Sequence, residues 1–277
     1  MTIDPGFYER YDAVMARWPV PYEGLDLDGP YGTTHVNVCG EPDAPPVVLI
    51  PGGRSTSAVY YATVGALAGR HRVYAIDILG DRGRSVRSEV PMRTLDAVME
   101  WLDEVLDGLN VSSTALAGHS MGANYAARYA LHAPDRIAKL VLFDPTNVFC
   151  GTPLPYLVRA LPLILGRGAD RFRSFNKWES GDRVDPLFLD LFAGEFGGVT
   201  GTAFPKRLTA AEVAGLTLPV LVFAAMASKQ DDPRKLIAGA RTLPDGRVVE
   251  IPGASHFMLP QDCPDEINPV LASFLAS

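Results

Sequence analysis

The sequence predicts an α/β fold: a mostly parallel central sheet with helices on both faces and an inserted helical cap. Three observations carry this. Short apolar runs without alternation recur along the chain, as in strands covered on both sides. Segments with apolar residues at helical spacing stand between them. The rhythm then breaks from Thr146 to about Thr209, where Pro, Gly and aromatics gather and no strand is convincing.

Taken in order, FYERYDAVMARW (7–18) has the spacing of a packing helix. The stretch YEGLDLDGPYGTTHVNVCG (22–40) alternates like two strands joined by a Gly/Pro turn. Six runs then read as buried strands: PVVLI (46–50), RVYAIDI (72–78), STALAGH (113–119), AKLVLF (138–143), LPVLVFAA (218–225) and RVVEI (247–251). Helical patterns fall at 59–69, 94–109, 121–133 and 232–243. Short buried strands alternating with helices imply a doubly covered parallel sheet. Residues 1–145 and 210–277 form the expected core, and 146–209 the cap. Within the cap LVRALPLIL and PLFLDLF read as short helices with more apolar surface than a solvated loop needs.

A net charge of −7 disfavours nucleic acid or an anionic membrane as partner. The three cysteines, Cys39, Cys150 and Cys263, are widely spaced and form neither a C-x-x-C pair nor a disulfide framework. No metal or organic cofactor is implied. The polar, acidic start lacks a secretory pattern and no apolar run is long enough to span a bilayer, so a cytoplasmic protein is expected. Oligomeric state is not readable.

Chemistry gathers at three places. GHSMG (118–122) fits G-x-S-x-G between a buried strand and a helix, the context that holds a serine nucleophile on a tight turn. Ser120 is that candidate, and the Met121 N–H at the helix start can face developing negative charge. PGGRSTS (51–57) leaves the strand PVVLI, and the Gly53 N–H is the second oxyanion candidate. GASHFM (253–258) follows the last strand on a Gly-containing loop and offers His256 as general base. His119 is expected to face packing at the strand end; His35, His71 and His132 have no catalytic neighbour.

Together LIPGG, YAIDILGDRGRS, LAGHSMGA, LVLFD and IPGASHF, in this order, resemble the α/β-hydrolase family over nearly the whole chain. The stretch VPYEGLDLDGPYGTTHVNVCGEPDAPPVVLIPG (20–52) also resembles bacterial carboxylesterases acting on arylpropionate esters. Two departures stand out. That family usually has His-Gly where this chain has Pro51-Gly52, which implies a reshaped oxyanion loop. The position usually held by the triad acid is Ser228, which cannot carry the charge that steadies an imidazolium. Asp144, ending AKLVLF, is the preferred acid because some relatives place it there. Asp231 is the alternative and Asp232 the next, although Asp232 before Pro233 has the pattern of a helix N-cap. In the family, residues such as Asp77 and Asp81 organise their loop. DRGRSVR is expected to be a solvated loop, with contact to an anionic substrate group as the alternative.

The expected activity is that of a serine hydrolase cleaving a carboxylic ester through an acyl-enzyme, with a small apolar or aromatic substrate. A thioesterase of a biosynthetic pathway would need the same site. A non-hydrolytic binding protein, lyase or isomerase of this fold is the alternative from a different class.

Overall fold

Period-two alternation within the strands divides the interior into two apolar layers, one on each face of the sheet. The computed structural model describes residues 6–165, 169–181, 183–193, 201–259, 261 and 263–277. Helix α1 (Phe7–Met15) precedes the hairpin β1 (Tyr22–Gly29) and β2 (Gly32–Cys39). There follow β3 (Pro46–Ile50), α2 (Val64–Ala68), β4 (Arg72–Ile76), β5 (Val86–Arg87), α3 (Leu95–Gly108), β6 (Thr114–His119), α4 (Met121–His132) and β7 (Ile137–Phe143). Three consecutive helices come next: α5 (Leu154–Leu165), α6 (Ala169–Ser180) and α7 (Pro186–Ala193). The chain closes with α8 (Ala210–Gly215), β8 (Val220–Ala225), α9 (Pro233–Ala240), β9 (Gly246–Ile251) and α10 (Pro264–Ala276).

The sheet runs β1-β2-β4-β3-β6-β7-β8-β9, with β5 pairing β2. Pairs from β4 to β9 along this order are parallel, and the hairpin end is antiparallel. Val48 and Ile50, Leu140 and Leu142, Val220 and Val222 face one layer, packed by α3, α4 and α9. Their neighbours Val47 and Leu49, Val141 and Phe143, Leu221 and Phe223 face the other, packed by α1, α2 and α10. The carboxyl ends of β3, β6, β7, β8 and β9 therefore open on one edge of the sheet, where ligand crevices form in this architecture.

Several elements differ from the sequence reading. The helical pattern at 59–69 splits into a 3-10 turn (Ser57–Ala62) and α2, pinned where Tyr60 Oη donates to the Ile50 carbonyl at 2.7 Å. The strand expected over 72–78 stops at Ile76 because Asp77 turns inward. Its carboxylate accepts from Ser57 N, Ser57 Oγ, Tyr11 Oη and Arg84 N. The stretch FRSFNKWES, not singled out as helical, lies in α6, whose Phe175, Asn176, Glu179 and Ser180 are buried. The expected solvated run DRGRSVR also needs correction. Arg82 is buried and its Nη1 donates to the Leu191 and Phe192 carbonyls at 2.8 and 2.6 Å, satisfying acceptors at the end of α7. Asp81 takes the N–H groups of Arg54 and Arg82, so both acids order loops at the sheet edge. The stretches GRG (166–168) and GEFGG (194–198) lie outside the described residues. Among the described residues no helix is long and apolar enough to cross a membrane.

Candidate active site

Ser120 sits at the junction of β6 and α4 with φ 55° and ψ −118°, a backbone state that L residues rarely adopt and that structures retain at functional turns. Close packing enforces the flanking glycines. A Cβ on Gly118 would lie 2.3 Å from the Gly122 carbonyl oxygen, and one on Gly122 would lie 2.3 Å from that of Pro51. The turn is also tied sideways: Ser120 N donates to Phe143 O at 3.0 Å, and Thr146 N to Ser120 O at 3.2 Å.

From this turn a hydrogen-bonded line runs inward. Ser120 Oγ lies 2.8 Å from His256 Nε2, and His256 Nδ1 lies 2.7 Å from Asp144 Oδ2. Residues 120, 144 and 256 follow β6, β7 and β9, so the parallel sheet brings them to one edge. Asp144 is 1% exposed and has φ 40°. Its Oδ1 accepts from Ala225 N at 3.1 Å, and its Oδ2 also accepts from Ser228 Oγ at 2.9 Å. These donors replace the water that a buried carboxylate gives up.

Burial disfavours the charged form of His256. The bond to Asp144 and the charges of Asp144, Glu179 and Asp231 outweigh that, and the pKa lies above the usual histidine value. With Asp144 accepting at Nδ1, Nδ1 carries the proton and Nε2 is free to accept from Ser120 Oγ.

The other candidate acids are elsewhere. Asp231 is 2% exposed, and its Oδ1 accepts from Cys150 Sγ at 3.7 Å while Oδ2 has no partner. Burial and the nearby Asp144 charge push its pKa up to about 7. Asp232 Oδ1 caps α9, accepting from Arg234 N at 3.0 Å and Lys235 N at 3.4 Å. Both follow β8 too late to reach the imidazole, whereas Ser228, three residues after that strand, touches Asp144.

Gly52 and Gly53 run beside the turn. A Cβ on Gly52 would be 3.2 Å from Ser120 Cβ, and one on Gly53 would be 3.0 Å from Met121 Cε. The two oxyanion candidates, Gly53 and Met121, thus lie side by side, with the Met121 side chain against the Gly53 main chain. Arg54 continues this loop with φ 63° and donates its N–H to Asp81 Oδ2 at 2.7 Å.

Three contacts escaped the sequence reading. Thr146 Oγ1 lies 3.0 Å from Ser120 Oγ. His119, expected to be packing, has its Nε2 2.9 Å from the His256 carbonyl oxygen, and burial followed by the His256 charge lowers its pKa to about 3. Neutral at ordinary pH, it donates to that carbonyl. Glu179 of α6 accepts the His256 N–H at 3.2 Å. Only Thr146 had a local signal, standing two residues after the candidate acid.

Over this edge Tyr156 of α5, Phe175 and Trp178 of α6, and Phe257 beside His256 form a run of ring contacts with centroids 5.3 to 6.2 Å apart.

Residues 47–270 match the model of the alpha/beta hydrolase family. Carboxylesterase YbfK of Bacillus subtilis is 30% identical, over 97% of this chain and 93% of that protein. A second B. subtilis protein, described as an uncharacterized carboxylesterase, nap, is 26% identical over 95% of this chain and 89% of its own. The crystal structure of YbfK superimposes with a TM-score of 0.88, covering 97% of this chain and 96% of that one at 27% identity. That of naproxen esterase from B. subtilis gives 0.89 at 24% identity, covering 99% and 100%, a likeness of fold.

Proposed function

This chain belongs to the alpha/beta hydrolase family, and from that premise we propose that it hydrolyses small carboxylic esters through an acyl-enzyme on Ser120. It is a serine ester hydrolase, and its relatives over nearly the full length are named carboxylesterases. The observation that carries the residue assignment is the continuous line from Ser120 Oγ through His256 to Asp144, at 2.8 and 2.7 Å.

The chemistry follows from that line. Ser120 Oγ attacks the acyl carbon as His256 Nε2 takes its proton, and Asp144 steadies the imidazolium. The carbonyl oxygen, gaining charge, turns toward the Gly53 and Met121 N–H groups. His256 returns the proton to the departing alcohol. Water then attacks the acyl carbon with His256 again as base, and Ser120 Oγ leaves with the proton.

Helices α5 to α7 act as a cap over the sheet edge in this reading. Tyr156, Phe175, Trp178 and Phe257 supply the aromatic walls that a small-molecule pocket uses, which supports an apolar or aromatic acyl or alcohol portion. A thioester would engage the same groups, but the named relatives are carboxylesterases.

A fluorophosphonate probe tests the reading. Label located at Ser120, lost in Ser120→Ala together with turnover of a p-nitrophenyl ester, is the expected result. A folded protein that takes no label at Ser120 overturns it.

A further inference from the structure

We propose that Glu179 is a positioning residue for the general base: it clamps the main chain of His256 from helix α6, and its charge favours the imidazolium. This rests on the hydrolase reading above, in which His256 is the base.

The end of α6 grips the His256 loop residue by residue. Arg183, just past the helix, donates Nη1 to Gly253 O at 2.6 Å. Ser180 Oγ lies 2.6 Å from Ser255 Oγ and donates to Glu179 Oε2, also at 2.6 Å. Because Ser180 spends its one proton on the carboxylate, Ser255 donates to Ser180. Glu179 Oε1 accepts the His256 N–H at 3.2 Å and the Lys229 N–H at 3.3 Å. From below, His119 Nε2 holds the His256 carbonyl at 2.9 Å. The base is thus fixed at both its N–H and its C=O, one from α6 and one from the serine turn.

Stability alone does not call for a glutamate here. Glu179 is 3% exposed, and its hydrogen-bond partners are two amides and a hydroxyl, all neutral. It also lies in the last turn of α6, where the helix dipole is negative and repels a carboxylate. Lys229, which could have paired with it, instead donates Nζ to Trp178 O and sits 4.8 Å from the Trp178 ring centre. Among the described residues no cation pairs with Glu179, and a buried anion without a cation costs folding free energy. What it gains in return is a second negative charge beside the imidazole.

Four titratable groups act on His256, Asp231 through its charge alone. Asp144 comes from the loop after β7, Asp231 from the loop after β8, His119 from the end of β6 and Glu179 from α6. Asp144 is hydrogen-bonded to Nδ1 and is the largest favourable influence, with the Glu179 charge adding to it. His119 is neutral and contributes a donor only.

Glu179→Gln separates charge from clamp, since the amide oxygen can still accept both N–H groups. NMR titration of His256 is expected to give a pKa lower by about half a unit or more. The acid limb of the kcat/KM profile should move down with it. Glu179→Asp keeps the charge but shortens the reach by one methylene, so kcat is expected to fall roughly tenfold with KM little changed. Coincident titrations for Glu179→Gln and the wild type overturn the electrostatic role. Wild-type kcat in Glu179→Asp overturns the clamp, and that variant carries the test should the glutamine variant fail to fold. The NMR titration needs no substrate. A wild-type protein that cleaves no ester therefore overturns the hydrolase reading and leaves this measurement intact.

Discussion

Ser228 Oγ and His256 Nδ1 meet on the same atom, Oδ2 of Asp144, at 2.9 and 2.7 Å. Ser228 occupies the place where the family usually carries its acid, and here it donates to Asp144, which follows the neighbouring strand. With Ala225 N on Oδ1, Asp144 is held on both oxygens before the imidazole binds it.

Ser228→Ala should therefore weaken the acid without removing it. A hydrogen bond to a charged group is worth roughly 1.5–3 kcal/mol, so kcat on a p-nitrophenyl ester is expected to fall about tenfold or more. Ser228→Thr, which keeps the hydroxyl, should lose less. Equal turnover in Ser228→Ala and the wild type would show that the contact does not support the acid.

Thr146 holds the Ser120 hydroxyl from the other side. When Ser120 Oγ donates to His256 Nε2, its lone pair accepts from Thr146 Oγ1 at 3.0 Å, which fixes the serine rotamer. Thr146→Val keeps the volume and deletes the donor, and about 1 kcal/mol, or roughly fivefold in kcat/KM, is the expected cost. Thr146→Ser should retain most of the activity. A valine variant indistinguishable from wild type would assign the hydroxyl no part in holding Ser120.

Asp231 makes a prediction about pH. Its folded pKa is raised to about 7, burial being the first cause and the Asp144 charge the second. Between the ordinary carboxylate range and pH 7 the folded chain therefore keeps a proton that the unfolded chain has released. Stability from this group falls as pH rises through that window. Asp231→Asn removes the dependence, and above pH 7 it should be more stable than wild type by roughly 1–3 kcal/mol, since Oδ2 is buried without a partner. Thermal melts from pH 5 to 8 check this, and parallel curves for the two proteins would contradict it.

Legibility in the sequence followed the range of the interactions. Strand and helix identity rests on local periodicity, so PVVLI, AKLVLF and LPVLVFAA could be read directly, as could the strand-turn-helix setting of Ser120. The placing of His256 beside Ser120 was readable because a glycine loop after a late strand is also a local signal. Which aspartate faces that ring was not, because three lie within reach in sequence and the pairing of β7 with β8 decides it. Arg82 looked like part of a solvated charged run because its carbonyl partners on α7 lie more than a hundred residues away. Glu179 had no signal at all: its role depends on where α6 docks, which nothing near residue 179 encodes.

The most direct test compares kcat for Asp144→Asn and Asp231→Asn on one p-nitrophenyl ester, with folding of each variant verified. Asp144→Asn is expected to lower kcat on the order of 10⁴-fold, by analogy with the serine-protease acid. Asp231→Asn should stay within about tenfold of wild type, because its carboxylate faces Cys150 rather than the imidazole. Near-wild-type turnover in Asp144→Asn would contradict the assignment of Ser120, His256 and Asp144 as one catalytic unit.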